Sequence, residues 1–293
     1  MLKRFEVSKW KKIAVVTDTG SNLSFAQAKE LGIYLLPLQI TIDETTYQDT
    51  LEISTQDIYN ELANGKMPKT SMAAYQKIYD LFEELKKDYD TIFAVPLTNG
   101  LSTNASTMQS IARELEMNVH VIDMYATCAL EKHVAIWIKK LVDEHKSSEE
   151  ILKIIQPAID ESNSLILVKN LQHLKRGGRL TPMAAALAGL LKIYPVLHIN
   201  KSTEGRIDVL NKVRTEKRAD AYAIDKIMDD IDIQHTHIYI IHSNFLEGAD
   251  HFKKCFIEKG VPEQNIHIDY ISSVIAVHTG LGCIAIQYIR EEN

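Results

Sequence analysis

Between Ile13 and Glu144 one unit recurs along the chain: a short run of β-branched and aliphatic residues, a polar loop, then a stretch with helical spacing of apolar side chains. Ile13–Val16 opens the series, the loop Thr17–Ser21 follows, and Phe25–Leu31 has the helical pattern. A second extended run, Ile33–Ile42, puts Tyr34, Leu36, Leu38 and Ile40 on one face. Ser54–Asp57 offers an N-cap for a helix over Ile58–Leu62. After Pro68–Ser71, the positions Ile78, Leu81, Phe82 and Leu85 give Tyr75–Lys87 an amphipathic stripe, so a loop is expected to enter a helix at Thr70-Ser71. Strand Thr91–Leu97, helix Ala105–Leu115, strand Val119–Asp123 and helix Cys128–Glu144 complete the series. Such alternation predicts a parallel sheet, and in these sheets ligands gather where strand carboxyl ends meet helix amino ends. Four loops are thereby singled out: Asp18–Ser21, Thr70-Ser71, Thr98–Ser102 and Asp123–Thr127.

From Ser147 the grammar changes. A helix over Ser148–Ile159, a strand over Ser164–Val168, a basic turn and a small-residue stretch Met183–Leu191 lead to two runs, Val196–Ile199 and Arg206–Val213, joined as a hairpin by Ser202–Gly205. Helix Tyr222–Ile231, strand His237–His242, helix Gly248–Lys259, strand Ile266–Tyr270 and a closing apolar tail Ile271–Ile289 follow. Strands and helices alternate less regularly here, which predicts an α+β half. A chain of 293 residues suits two cores better than one, and the division is placed to give domains 1–155 and 156–293.

Several function classes are excluded. A formal net charge of −6 gives no global reason to bind nucleic acid. Cys128, Cys255 and Cys283 are far apart and form no C-x-x-C pair, so neither zinc nor a disulfide framework is expected; they read as small core hydrophobes in a reducing compartment. The opening Met1–Lys12 has no continuous apolar stretch and no later segment is long enough to span a bilayer, so the expected location is the cytoplasm. Gly280–Ala285 fits G-x-G-x-x-A, but no acid follows about 20 residues on, as a dinucleotide fold requires. Gly100–Asn104 resembles a nucleophile elbow without its second glycine. Neither a Walker loop nor metal-spaced ligands occur, and no metal or cofactor is expected.

What remains is a set of hydroxyl and amide residues at expected helix starts: Thr70, Ser71, Thr98, Asn99, Ser102 and Thr103, with Gly100 among them. Helix amino ends present free N–H groups and a partial positive charge, which hold a carboxylate or phosphate without a lysine. Each alone also reads as a plain N-cap. His278, beside Thr279-Gly280, reads as a loop histidine with either a structural or a ligand role. Lys175–Arg179 reads either as a solvated tip or as a docking patch in which glycines give backbone freedom and arginines give forked donors.

Five of these segments, in order, resemble the DegV family of bacterial fatty-acid-binding proteins. Val15–Leu23 resembles its opening D-S-T-S-D-L; Lys69-Thr70-Ser71 its T-S-Q-P-S; Pro96–Ser102 its L-S-S-x-L-S-G-T-Y; Leu174–Leu180 its L-x-x-G-G-R-I; Ile275–Gly280 its I-x-x-H-T-G-P-G. Met72–Ala74, Asn99, Thr103-Asn104 and Leu281 depart from those patterns, whereas Thr70, Ser102 and His278 match them. The resemblance implies two α/β domains with one long-chain fatty acid, such as palmitate, lying between them. Thr70 and Ser102 would hold its carboxylate with His278 close by, and Ser71, Thr98, Asn99 and Gly100 would complete the mouth. It further implies a non-enzymatic protein that presents the carboxylate to a separate ATP-binding fatty acid kinase for acyl phosphate formation in phospholipid metabolism. Arg176 and Arg179 would lie near the docking face, and there is room for a transient membrane contact. At ~0.8 kcal/mol per buried methylene, roughly fourteen methylenes supply on the order of 11 kcal/mol before association costs, so uncharged donors suffice at the head group. A second reading is an enzyme acting on a phosphorylated or carbonyl metabolite with His278 as acid/base.

Overall fold

The computed structural model describes residues 12–190 and 192–291; the segment Met1–Lys11 read above for a leader, Leu191 of the small-residue stretch and the last two residues lie outside the described residues. Side chains buried on both faces make Ile13–Asp18 (β1) an interior strand. Ser24 and Gln27 form a capping box at the start of α1 (Phe25–Leu31), which Gly32 closes at φ 67°. The extended run that follows divides in two. Tyr34–Leu36 (β2) pairs with β1, whereas Gln39–Ile42 (β3) joins β4 (Thr45–Gln48) in a separate small sheet. Pro37, with no N–H to give to a ladder, stands at the break.

A second capping box, Ser54 with Asp57, starts α2 (Thr55–Ala63). Lys69–Ser71 then forms β5, antiparallel to β3 with Thr70 opposite Ile40. This corrects the expected loop into a helix: Thr70 and Ser71 sit on a strand, and α3 (Tyr75–Leu85) begins only after Ala74. The backbone partners of β5 lie far upstream in β3, so no local pattern reveals them. β6 (Thr91–Val95), α4 (Asn104–Glu114), β7 (Val119–Val121) and α5 (Ala129–Asp143) follow. The first sheet runs β2-β1-β6-β7, all parallel. Its strand order reverses between β1 and β6, and the crevice beyond their carboxyl ends is the topological switch point where such sheets bind ligands.

Ser147 and Glu150 form a third capping box before α6 (Ser148–Glu161). Thereafter come β8 (Asn163–Leu167), α7 (Leu171–Arg176), α8 (Pro182–Leu187), β9 (Tyr194–Ile199), β10 (Asp208–Val213) and α9 (Glu216–Asp230). β11 (Thr236–His242), α10 (Leu246–Glu258), β12 (Ile266–Tyr270), α11 (Ser273–Thr279) and β13 (Ile284–Arg290) end the described chain. The second sheet runs β10-β9-β8-β13-β11-β12 and is antiparallel except between β11 and β12. The apolar tail of the sequence reading is therefore a central strand preceded by a short helix. The architecture is α/β, with a parallel sheet in the first half and a mixed sheet in the second.

A core built from α5 and α6 lies between the sheets, joining Val15 and Phe93 of the first to Ile289 of the second. The division expected after residue 155 falls inside α6, whose Ile151, Ile155 and Ile159 belong to that shared core. Among the described residues, no helix is long and apolar enough to cross a membrane.

Candidate functional site

A cleft of about 460 Å³ opens where the switch point of the parallel sheet meets the second half of the chain. β5 supplies Thr70, Ser71 and the following Met72; the loop after β6 supplies Asn99 to Thr103; α11 supplies Val274, Ile275, His278 and Thr279. Gly178, Arg179, Arg206 and Ile207 complete the opposite wall.

Thr70 and His278 meet directly, Oγ1 to Nε2 at 2.7 Å. Burial, with the charges of Arg179 and His173, pushes His278 down to about 3, so the imidazole is neutral near pH 7. With its proton on Nε2, the ring donates to Thr70 Oγ1 and leaves the threonine hydroxyl hydrogen free to point into the cleft. His278 lies in the last turn of α11 and not in a loop. Gly177 explains its tight seat, since a Cβ at that glycine would fall 2.7 Å from His278 Nδ1. Gly178 has the other role expected of the pair: its φ is +72° with open space around it.

The remaining expected residues separate by position. Ser102 faces the cleft and its Oγ accepts from Asn104 N–H at 3.2 Å, at the start of α4. Asn99 is exposed, its N–H donating to Asp123 Oδ2 at 3.1 Å. Ser71 lies at the rim and donates to Gln39 Oε1 at 3.1 Å. Gly100 packs on the β9–β10 hairpin, where a Cβ would stand 2.1 Å from Gly205 O. Thr98 does not line the cleft: it is fully buried, its Oγ1 accepting weakly from Gly100 N–H at 3.4 Å and abutting Gly205. Arg176 and Arg179 differ in exposure. Arg176 closes α7 in solvent, whereas Arg179 folds back onto Gly177 O at 2.5 Å and forms part of the cleft wall.

Two of the four loops singled out by the strand pattern line the cleft, and the other two hold them from behind. Asp18 Oδ2 accepts from Leu97 N–H at 2.9 Å and from Asn104 Nδ2 at 2.6 Å, and its Oδ1 accepts from Gly20 N–H at 2.8 Å, so the loop after β1 fixes the loop bearing Ser102. Glu131 of α5 is buried beside Asp18 and accepts from Thr17 Oγ1 at 3.1 Å. Burial, then the Asp18 charge, pushes the Glu131 carboxyl well above its usual range, and burial raises Asp18 as well. Two enclosed carboxyls so placed favour a state in which one keeps its proton. Nothing in the sequence distinguished Glu131 from the many exposed glutamates.

Behind the cleft, and sharing Leu101, Ile207, Ile275 and Thr279 with it, a narrow apolar cavity of about 30 Å³ runs along the inner face of the mixed sheet. That is room for about two water-sized spheres, so a longer guest requires the side chains at the junction to part. The far end is polar, at Thr127, Ser164 and Gln287. Gln287 is buried and satisfied on both sides: Nε2 donates to Thr127 O and Ser164 Oγ, each at 3.0 Å, while Oε1 accepts from Ala129 N–H at 3.0 Å and Leu130 N–H at 3.3 Å. It thus caps α5, whose own N-cap residue Cys128 gives no side-chain bond.

Cys128 and Cys283 are buried and all three cysteines are free; burial pushes the Cys283 thiol up to about 12, which leaves it unreactive. Among the described residues, no group of His, Cys, Asp and Glu is placed to hold a metal ion. A larger groove, about 530 Å³, lies on the other face of the mixed sheet between α9 and α10 and contains none of the residues expected from the sequence.

Comparison with known proteins completes the picture. The family model for uncharacterised proteins of the DegV family matches residues 12–291. A DegV domain-containing protein of Halalkalibacterium halodurans is 31% identical over 287 residues, covering 96% of this chain and 99% of that protein. The crystal structure of a fatty acid binding DegV family protein from Streptococcus agalactiae superposes with a TM-score of 0.88 at 29% identity, covering 97% of this chain and all of the other. DegV from Bacillus subtilis, described as a fatty acid binding protein, gives 0.84 at 27% identity, with 96% and 100% covered.

Proposed function

The chain belongs to the DegV family, and from that premise we propose that it binds a single long-chain fatty acid and presents the carboxylate to a partner fatty acid kinase. The observation that carries this reading is the continuity of a polar mouth, where Thr70 meets His278, with an apolar interior through four shared lining residues. Burial of the acyl chain supplies the affinity; the mouth decides which end faces out. With the His278 proton on Nε2, Thr70 is left to donate its hydroxyl hydrogen to the carboxylate, and Ser102, whose Oγ already accepts from Asn104 N–H, donates its own. These bonds keep the carboxylate from being desolvated unpaired. Arg179 adds a positive charge to the wall, and exposed Arg176 is available to a docking kinase.

The enzymatic alternative fares less well. A general base works best with a pKa near the operating pH, and His278 lies near 3 with its Nε2 engaged by Thr70. We therefore assign catalysis to the partner.

Native mass of the purified protein, before and after denaturation, tests the proposal. We expect an excess of one fatty acid, lost or much reduced in a Thr70→Val/Ser102→Ala variant. Unchanged occupancy in that variant refutes the residue assignment; a wild-type protein that carries no lipid and takes up no added palmitate refutes the function. With kinase and ATP added, Arg176→Glu should keep palmitate bound and lose acyl phosphate formation.

A further inference from the structure

Asp49 follows β4 in the first half of the chain and is completely enclosed. Its N–H donates to Leu38 O at 2.8 Å. Its Oδ1 accepts the hydroxyl proton of Ser273, the first residue of α11. Burial pushes the carboxyl up to about 6, against the lowering effect of Ser273 and then Thr19. Enclosing an acid is costly, and a short apolar residue would fill this space without that penalty.

What the acid does is legible from the two elements it joins. α11 is a short helix whose N-cap residue, Ser272, gives no side-chain bond to the first turn. The Asp49–Ser273 contact therefore anchors its amino end, helped by Tyr59 Oη donating to Ile271 O at 2.7 Å. The carboxyl end of the same helix bears His278, which meets Thr70. Thr70 lies on β5 of the small sheet β4-β3-β5, and Asp49 directly follows β4, where the chain leaves that sheet. The helix is thus pinned at one end to β5 and at the other to the residue that follows β4, and the residues between the pins include Ile275, common to the cleft and the inner cavity.

We propose that Asp49 is a positioning residue for the head-group site, holding Ser273 so that α11 lies in the one register that aims His278 at Thr70. Its consequence for affinity rests on the fatty-acid reading of the cleft; its consequence for His278 does not.

The test uses the full chain with palmitate as probe, and the imidazole NMR signals of His278 measured without it. Asp49→Ala and Ser273→Ala should each weaken palmitate binding about tenfold, the worth of one hydrogen bond to a charged acceptor. The double variant should be no weaker than Asp49→Ala alone, since both remove the same contact. Asp49→Asn, which keeps an acceptor for Ser273, should stay within about threefold of wild type. The His278 signals should move in both alanine variants and return in Asp49→Asn. Folded alanine variants with wild-type affinity and unmoved His278 signals overturn the proposal, as do additive losses in the double variant. Should Asp49→Ala fail to fold, Ser273→Ala decides alone. A wild-type chain that ignores palmitate sinks the fatty-acid reading, and the His278 signals still decide the role of Asp49.

Discussion

On the outer face of the mixed sheet, Leu165, Val196, Ile238, Ile240, Ile284, Ile286 and Tyr288 are buried in one apolar cluster with side chains of α9 and α10, beside the groove of about 530 Å³. On the inner face, the alternate residues of the same strands include Ser164, Ala285 and Gln287, and with Cys283 just before β13 they line the cavity behind the cleft. The period of two along each strand sends one set of side chains to each side, so a single sheet carries two kinds of surface. The outer side packs apolar residues against two helices. The inner side sets Ser164, Ala285 and Gln287 among Ile166, Ile199 and Ile241, and Gln287 bonds Ser164, Thr127 and the first turn of α5. On the fatty-acid reading, the outer face chiefly stabilises the fold and the inner face borders the guest.

Substitutions can break that contrast. Ile240→Ala on the outer face should lower the unfolding free energy by about 2–5 kcal/mol, read by denaturant titration, while palmitate uptake per folded molecule stays at the wild-type level. Ala285→Leu on the inner face should cost about 1–3 kcal/mol through overpacking yet abolish palmitate uptake, read by native mass. If both variants lose stability and uptake in the same proportion, the division between the faces fails.

A smaller effect is expected from pH. Asp18, Asp49 and Glu131 are the enclosed carboxyls among the described residues, and none lies on the outer face. Asp49 is raised from 3.8 to about 6 by burial, so the fold favours its protonated form. Its contribution to stability is complete below about pH 3.8 and is lost as the pH rises through about 6. Surface acids such as Asp57 and Glu150, held low by hydrogen bonds from Ser54 and Ser147, act with the opposite sign and offset part of the slope. Asp49→Asn should remove its share of the loss between pH 4 and 6, measured as denaturation midpoints across that range; an unchanged profile places its titration elsewhere.

The alternation of strand and helix in the first half was legible because each unit is local: a buried β-branched run, a serine cap, an amphipathic stripe. Ser24, Ser54 and Ser147 all carry capping boxes. What escaped was non-local. β5 exists only because β3 offers it a partner, and β13 is central only because β8 and β11 flank it. At the site, Thr70, Ser102 and His278 could be marked from motif resemblance, but the bond between Thr70 and His278 spans most of the chain and no spacing announces it. Thr98 and Ser102 looked alike as loop hydroxyls; the approach of Gly205, contributed by the other half, encloses the first and leaves the second at the mouth. Asp49 and Glu131 carry no local signature, because their meaning comes from what surrounds them.

Gln287 also bears on the order in which the molecule can be made. The first turn of α5 gives two of its N–H groups to a side chain on β13, 158 and 157 residues further on, so they find that partner only after β13 has left the ribosome. Early-emerging segments of a nascent protein generally begin to fold before later ones arrive. Here the first half emerges with one helix end still open to water, and the arrival of β13 closes it, tying completion of the first sheet's layer to synthesis of the second half.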